Sequence, residues 1–525
     1  MSTDTVSYPH GTVLSPAGVP VTASASEPEY YGSETSFSGD WGLSGAGPNE
    51  SGYSSLSVLR RRARALVRNA PNIRGGVTSW VANIVGTGLT PHWQLDNKDQ
   101  REELQEAWEE SASEMDHHET QSIYGVQAQL GEAEYVDGEG LAQFVDMRPG
   151  WVNPRTGLPL RVPLQVRVME ADHLDSGYNE VLPNGDPVRY GIQWDKRTKK
   201  RKGYWLTREH PGETLWSNSV ADRYFVPVSN MAHVFYPGRL GQGRGMTALA
   251  AAITACREQE LAIHYELVRR KSQSTLTGAI YQDSPAMPGH QLNVGGAKVG
   301  GGAPATASGQ ARVEISPGTF QRLGKDERIT LFASADVGAN YTDFIKFHDR
   351  RMAKSGRLTY EQLTGNLEGV NFSSIRFGLI EFRRSCDMWR QRTIVHQFCH
   401  PHAMRWLRAG ILAGSFKTIS AEDFLANPRS FFKIDWRAPA WESVNRLQDA
   451  MADLVVMRSG TNSRPEIAAK RSGRRYTEID RENKEAVDNA AEQGLVYDSN
   501  PAQVDKSGGI QQIEGTALKA ALEEN

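Results

Sequence analysis

The chain has 525 residues, 39% hydrophobic and 23% charged, with 50 glycines and a net charge of −3. That composition excludes whole-chain disorder, and its length suggests about three domains. No apolar stretch approaches the ~20 residues of a membrane span. The N-terminal MSTDTVSYPH lacks a basic segment followed by an apolar one, so no secretory signal is expected. Three cysteines without CxxC spacing give neither a disulfide framework nor a zinc site, and predict a reducing compartment.

Residues 1–52 are rich in Ser, Gly, Thr and Pro and read as a disordered acidic tail. Residues 1–50 carry six carboxylates and no Lys or Arg, so −3 less −6 leaves +3 for the remainder. That is too small for a general nucleic-acid binder, and an anionic partner would have to meet local patches. Leu56, Leu59, Ala63, Leu66 and Val67 recur at helical spacing with five arginines between them. Pro71 ends or restarts this helix, and a second one over 76–85 stops at Gly86-Thr87-Gly88. Residues 101–118 predict a further helix carrying His117 and His118 as exposed groups.

From 140 to 216 strand patterns dominate. Leu164–Val168 alternates like a half-buried strand, and Tyr190–Trp194 and Tyr204–Thr207 flank the basic turn Lys196–Lys202. A long helix is expected over 246–272. Pro285–Gln310, dominated by Gly, Ala and Pro, reads as a flexible insert between strands at Thr277–Tyr281 and Arg312–Ile315. A helix over 337–357 and a Gly/Asn-rich loop follow. Ser373 or Ser374 then caps a third long helix, along which Ile375, Leu379, Phe382, Cys386 and Trp389 form one stripe. Pro401 should kink it, leaving Cys399-His400-Pro401-His402 as a bend with surface histidines. Two or three short helices over 441–494 and a loose tail complete the chain.

Catalytic chemistry finds no support. Gly318–Asp326 has the wrong spacing for a P-loop and no hydroxyl after its Lys. Gly241–Gly245 lacks GxGxxG spacing and reads as a tight turn opening a helix. Neither a GxSxG nor an HExxH sequence occurs, so no enzyme activity, cofactor or metal is expected.

An ordered series of motifs resembles the lambda-type portal family of tailed bacteriophages. It comprises Ala65–Pro71 with Asn83–Gly86, Asp137-Gly138-Glu139-Gly140, Ala232-His233-Val234-Phe235 with Gln242-Gly243-Arg244-Gly245, Leu358–Leu363 with Asn371–Arg376, and Asp435–Pro439 with Leu447–Ala450 and Arg458–Thr461. The resemblance covers about residues 55–495. It implies a mixed α+β portal fold with an α/β wing over 53–245 and stem helices over 246–273 and 337–362. A small β-containing clip with the Gly/Ala-rich insert would span 274–336, and a tunnel loop 363–374. A long wing helix with a return strand would cover 375–435, a helical crown 436–498 and a flexible tail 499–525.

The resemblance further implies a ring, usually of twelve copies, at one capsid vertex of the virion, assembled in the host cytoplasm. Double-stranded DNA would pass through it during packaging and ejection. Terminase, head-completion and connector proteins, and major capsid and scaffold proteins would be its partners, with no membrane involved. Lys346, Arg350, Lys354 and Arg357, spaced 4, 4 and 3 apart, would share one helical face and line the channel, unless that face is merely solvated with Asp343 and Asp349 as its ion partners. Asn366, Gly369, Asn371, Phe372, Ser373 and Ser374 of the tunnel loop would meet DNA without adding charge, unless the loop is a plain connector. The rival readings are another head–tail adaptor or minor capsid protein, and a nucleic-acid enzyme.

Overall fold

Helical spacing and capping chemistry set the N-terminal layer of the computed structural model, which describes residues 47–50, 53–213, 222–275, 279–282, 327–330, 341–441 and 445–495. The expected tails, the Gly/Ala-rich insert and the segment Arg312–Ile315 lie largely or wholly outside those residues. Helix α1 (Tyr53–Asn69) and helix α2 (Pro71–Ile84) meet at Pro71, which sits in the first turn of α2 where its missing N–H costs nothing. Strand β1 (Thr90–Trp93), helix α3 (Lys98–Ser111) and helix α4 (Ile123–Val136) follow. α3 ends before His117 and His118, which are exposed as expected but lie in a loop.

Two sheets pack face to face. Strands β2 (Glu139–Asp146), β3 (Leu164–Glu170) and β9 (Met231–Phe235) form an antiparallel sheet with β2 in the middle. Between β3 and β9 lies a five-stranded meander: β4 (Glu180–Val181), β5 (Pro187–Arg189), β6 (Ile192–Trp194), β7 (Arg201–Thr207) and β8 (Arg223–Pro227). The expected strand Tyr190–Trp194 is shorter, because Tyr190 and Gly191 take positive φ and turn the chain between β5 and β6. The period of two sorts the core. Leu141, Met169 and Met231 face the meander, while Ala142, Phe144, Val166, Ala232 and Val234 face the helices. Burial on both faces explains why β2 reads as apolar rather than alternating.

Helix α5 (Ile253–Thr275) starts later than expected, after a turn over 248–252. Strand β10 (Ala279–Gln282) pairs with strand β11 (Glu327–Thr330), which the sequence did not single out. Helix α6 (Tyr341–Ser355) and helix α7 (Tyr360–Thr364) follow. Helix α8 (Phe372–Arg390) continues through a π-helical stretch (Gln391–Cys399) into helix α9 (His400–Ala413). The wide turns directly precede Pro401, whose ring would clash with the carbonyl four residues back in a regular helix. The stripe on α8 points inward, with Phe382 and Cys386 buried.

His402 is a correction to the sequence reading. It is buried against Phe398 (5.5 Å, stacked), Trp108 and Phe144 rather than on the surface. Its neighbours Trp93, Trp108 and Trp406 stand 5.2–6.0 Å apart and centre the main core. Helices α10 (Ala421–Ala426) and α11 (Pro428–Phe431) lead to strand β12 (Ile434–Arg437), which pairs with β1. Helices α12 (Arg446–Arg458), α13 (Arg464–Ser472) and α14 (Tyr476–Glu492) close the described chain and bury fully only Ala490. Among the described residues no helix is long and apolar enough to cross a membrane.

Candidate functional site

The basic face singled out in the sequence lies on α6. Met352, Ala353 and Asp349 turn toward α5, where Cys256 Sγ stands 3.0 Å from Met352 Sδ and Gln259 Nε2 donates to Asp349 (2.8 Å). Asp349 therefore answers α5 and not the basic stripe. Arg350 and Lys354 are exposed on the outward side, and Lys346, half-buried, approaches Glu368 in the following loop (3.7 Å). Phe344 and Phe347 are exposed on that outward side too, with Arg351 over the Phe347 ring.

Arg357 does not continue the face. α6 ends at Ser355, and Arg357 adopts φ 60°, which carries its side chain back into the body. Its Nη1 donates to both carboxylate oxygens of buried Glu134 (3.0 and 3.2 Å), and its guanidinium lies 3.6 Å from the Trp389 ring. The 4-4-3 spacing assumed one more turn of helix than the chain forms.

The loop after α7 is built by its own hydrogen bonds. A capping box joins Thr359 and Gln362, and Gly365 closes α7 at φ 69°. The Asn366 side chain accepts from Glu368 N (2.8 Å), Gly369 takes φ 74°, and Asn371 accepts from Ser374 N (2.8 Å). The helix cap is thus Asn371, not Ser373 or Ser374. The side chains of Phe372 and Ser373 lie outside the described residues. Thr359, Gln362, Leu367, Val370, Ile375 and Leu379 line a groove of about 350 Å³ beneath the loop.

A second constellation escaped sequence reading. Glu139, fully buried, accepts from Arg244 Nε (2.8 and 2.9 Å), Arg60 Nη2 (2.9 Å), His233 Nε2 (2.9 Å) and the Gly245 N–H (2.9 Å). Burial alone would raise its carboxyl pKa. The Arg244 guanidinium and the His233 N–H outweigh that and hold it well below the usual carboxylate range. Burial, reinforced by Arg201 and Arg244, pushes His233 down to about 4 despite its bond to Glu139, so it is a neutral donor. Beside this cluster Arg64 pairs with Asp137 and Asp172.

The backbone closes as tightly. A Cβ on Gly138 (φ 91°) would lie 2.4 Å from Met246 C and 2.5 Å from Thr247 N. Three separated motifs (137–140, 232–235 and 242–245) therefore meet at one joint that fixes where α5 leaves the sheets. The available signal was Arg60, which stands in line with Leu56, Ala63 and Val67 on the buried side of α1.

Among the described residues one grouping could offer three metal ligands: Glu170, Asp172 and His210. Arg64 Nη2 lies 2.8 Å from both carboxylates, so a guanidinium already neutralises the place a cation would take.

The model of the family described as "Phage portal protein, lambda family" matches residues 35–390. The probable portal protein of Halomonas phage phiHAP-1 is 26% identical over 323 residues, covering 60% of this chain and 58% of the relative. The chain thus matches less than two thirds of that relative's length. Among solved structures, the neck of an empty gene transfer agent particle aligns with 79% of this chain and 92% of its own, at 13% identity and a TM-score of 0.40. The virion of the native particle aligns over the same shares at 12% identity and a TM-score of 0.40. Likeness at that level carries neither fold nor function.

Proposed function

The chain belongs to the lambda family of phage portal proteins, and from that membership we propose that its copies close into a ring at one capsid vertex through which double-stranded DNA is packaged and ejected. In this reading α5 and α6 form the stem, the β10–β11 hairpin and its connection the clip, the loop over 363–374 the tunnel loop, α8 and α9 the wing helix, and α12–α14 the crown. The protein conducts DNA rather than transforming it.

The observation that carries the proposal is the outward side of the α5–α6 pair, which no other helix or strand among the described residues covers. Tyr265 and Val268 on α5, and Phe344 and Phe347 on α6, are 65%, 44%, 50% and 57% exposed. Apolar stripes facing away from the chain's own core are what a neighbouring copy would cover. Lys346, Arg350 and Lys354 would then form stacked positive rings around a channel whose chain is otherwise close to neutral. That balance suits a conduit, because each added phosphate contact strengthens salt-dependent binding and slows sliding. Asn366 and Asn371 keep their amide N–H groups for phosphate oxygens, since local structure uses only the side-chain oxygens.

Terminase, and after it the head-completion and connector proteins, would dock at the clip end, and capsid and scaffold proteins at the wing. The test is the particle mass of the purified chain, imaged by negative stain. Twelve copies of 58.1 kDa give about 700 kDa and a ring with a central hole. A monodisperse monomer at high concentration would overturn the ring and favour a head–tail adaptor.

A further inference from the structure

Arg357 is the one proposed channel residue that turns inward, and its surroundings give it another task. Four elements converge on it. Glu134 on α4 takes two hydrogen bonds from its Nη1, and the Trp389 ring at the end of α8 lies 3.6 Å from its guanidinium carbon. Tyr236, after β9, and Trp80 on α2 stand 5.4 and 5.5 Å away. The preceding carbonyl, Gly356 O, accepts from the hydroxyl of Tyr135, also on α4. A left-handed φ of 60° is unfavourable for an arginine; the Leu358 N–H bond to Ala353 O (2.9 Å) closes the turn around it, and the side-chain contacts add to that closure.

We propose that Arg357 is a positioning residue: its stack on Trp389 closes residues 358–388 into a bracket that fixes the tunnel loop on the body. The chain leaves the contact at 357, runs through α7, the loop and α8, and returns to the same contact at 389. The first arm of the bracket is anchored where Leu358 and Leu363 pack on Gly76 of α2. Trp389 also lies two residues before the π-helical stretch that begins at Gln391, where α8 changes pitch. A planar, charged group suits this place. It lies flat on an indole while satisfying a buried carboxylate, which an ammonium cannot do at once. The clamp stands on geometry alone; its consequence for the placement of a DNA-facing loop rests on the portal reading.

The test is hydrogen exchange by mass spectrometry on the full-length protein, with particle mass measured on the same sample. Arg357→Gly separates the two roles of this position. Glycine prefers the left-handed backbone, so a merely conformational role would be kept or improved. The clamp predicts the reverse, at least tenfold faster exchange in peptides covering 358–371 and 385–392, with β2 and β9 unchanged. Wild-type exchange in Arg357→Gly would overturn the proposal. Arg357→Lys, which keeps a cation for Glu134 but uncovers Trp389, should accelerate 385–392 by severalfold, and it decides the matter if the glycine variant does not fold. Exchange of Arg357→Lys equal to wild type would likewise overturn it. A monomeric sample showing the predicted exchange pattern would keep the clamp and remove the ring.

Discussion

Replacing Glu139 by glutamine tests whether the buried joint holds the two sheets and α5 together. The carboxylate is fully buried and forms an ion pair with Arg244, itself 2% exposed. Arg60, 4% exposed, keeps Asp172 at 3.1 Å. Glutamine retains one acceptor oxygen but turns an NH2 toward groups that are all donors. Arg244 then keeps the carbonyl of Tyr190 (3.0 Å) yet loses the Glu139 charge. Breaking a buried ion pair from one side costs about 3–5 kcal/mol. Losing two charge-assisted hydrogen bonds, at about 1.5–3 kcal/mol each, gives an overlapping range of about 3–6 kcal/mol. In urea, a slope near ~3 kcal/mol per M turns that loss into a midpoint lower by about 1–1.7 M. The double variant Glu139→Gln, Arg244→Met should lose less than the two single losses added, because no buried guanidinium is left stranded beside the glutamine. A midpoint shift below about 0.3 M with an unchanged slope would refute the reasoning.

Gly138→Ala should cost more than ~2 kcal/mol, read as the same midpoint, since its Cβ would meet the backbone of Met246 and Thr247 and its φ is 91°. Asn371→Ala should lower stability by about 1 kcal/mol, because the cap on Ser374 N is removed. Acid should destabilise the fold early. Burial pushes His92 and His233 down to about 4 and His402 to about 3, from an ordinary 6.5. Their folded values are depressed, so their contribution is whole above pH 6.5 and falls as the unfolded chain alone takes up protons between 6.5 and about 4. The limit is about 1.4 kcal/mol per pH unit for each histidine, or about 4 for three. His402→Leu should flatten the stability–pH slope in that window by about one third.

The sequence was legible where one rule acted alone. Periodicity found α1, α8 and β3, because a side chain either faces a core or does not. Capping chemistry placed the start of α8 within three residues and erred only in choosing serine over Asn371. The errors came where a tertiary contact outbid a local pattern. Arg357 fits a basic helical stripe by spacing, but Glu134 and Trp389, more than 200 positions before it and 32 after it, draw it inward. His402 follows a proline and looks like part of a bend, yet the π-helical turns upstream absorb the misfit and let the helix run on into the aromatic core.

The joint around Glu139 shows why motif order can reveal a family while concealing its physics. Asp137–Gly140, Ala232–Phe235 and Gln242–Gly245 are unremarkable separately, and none carries a chemistry-specific spacing. Folded, they supply the anion, the neutral imidazole donor, the guanidinium and the two glycines of one contact. Each piece is constrained by partners about 90–105 residues away, so no window of local sequence contains the reason for it. The same holds for the outward stripes of α5 and α6. Among the described residues their aromatic side chains stay exposed, and on the ring proposal a neighbouring copy would cover them. The parts of this protein hardest to read from sequence are therefore those whose partners lie far along the chain or, on the ring proposal, on another copy.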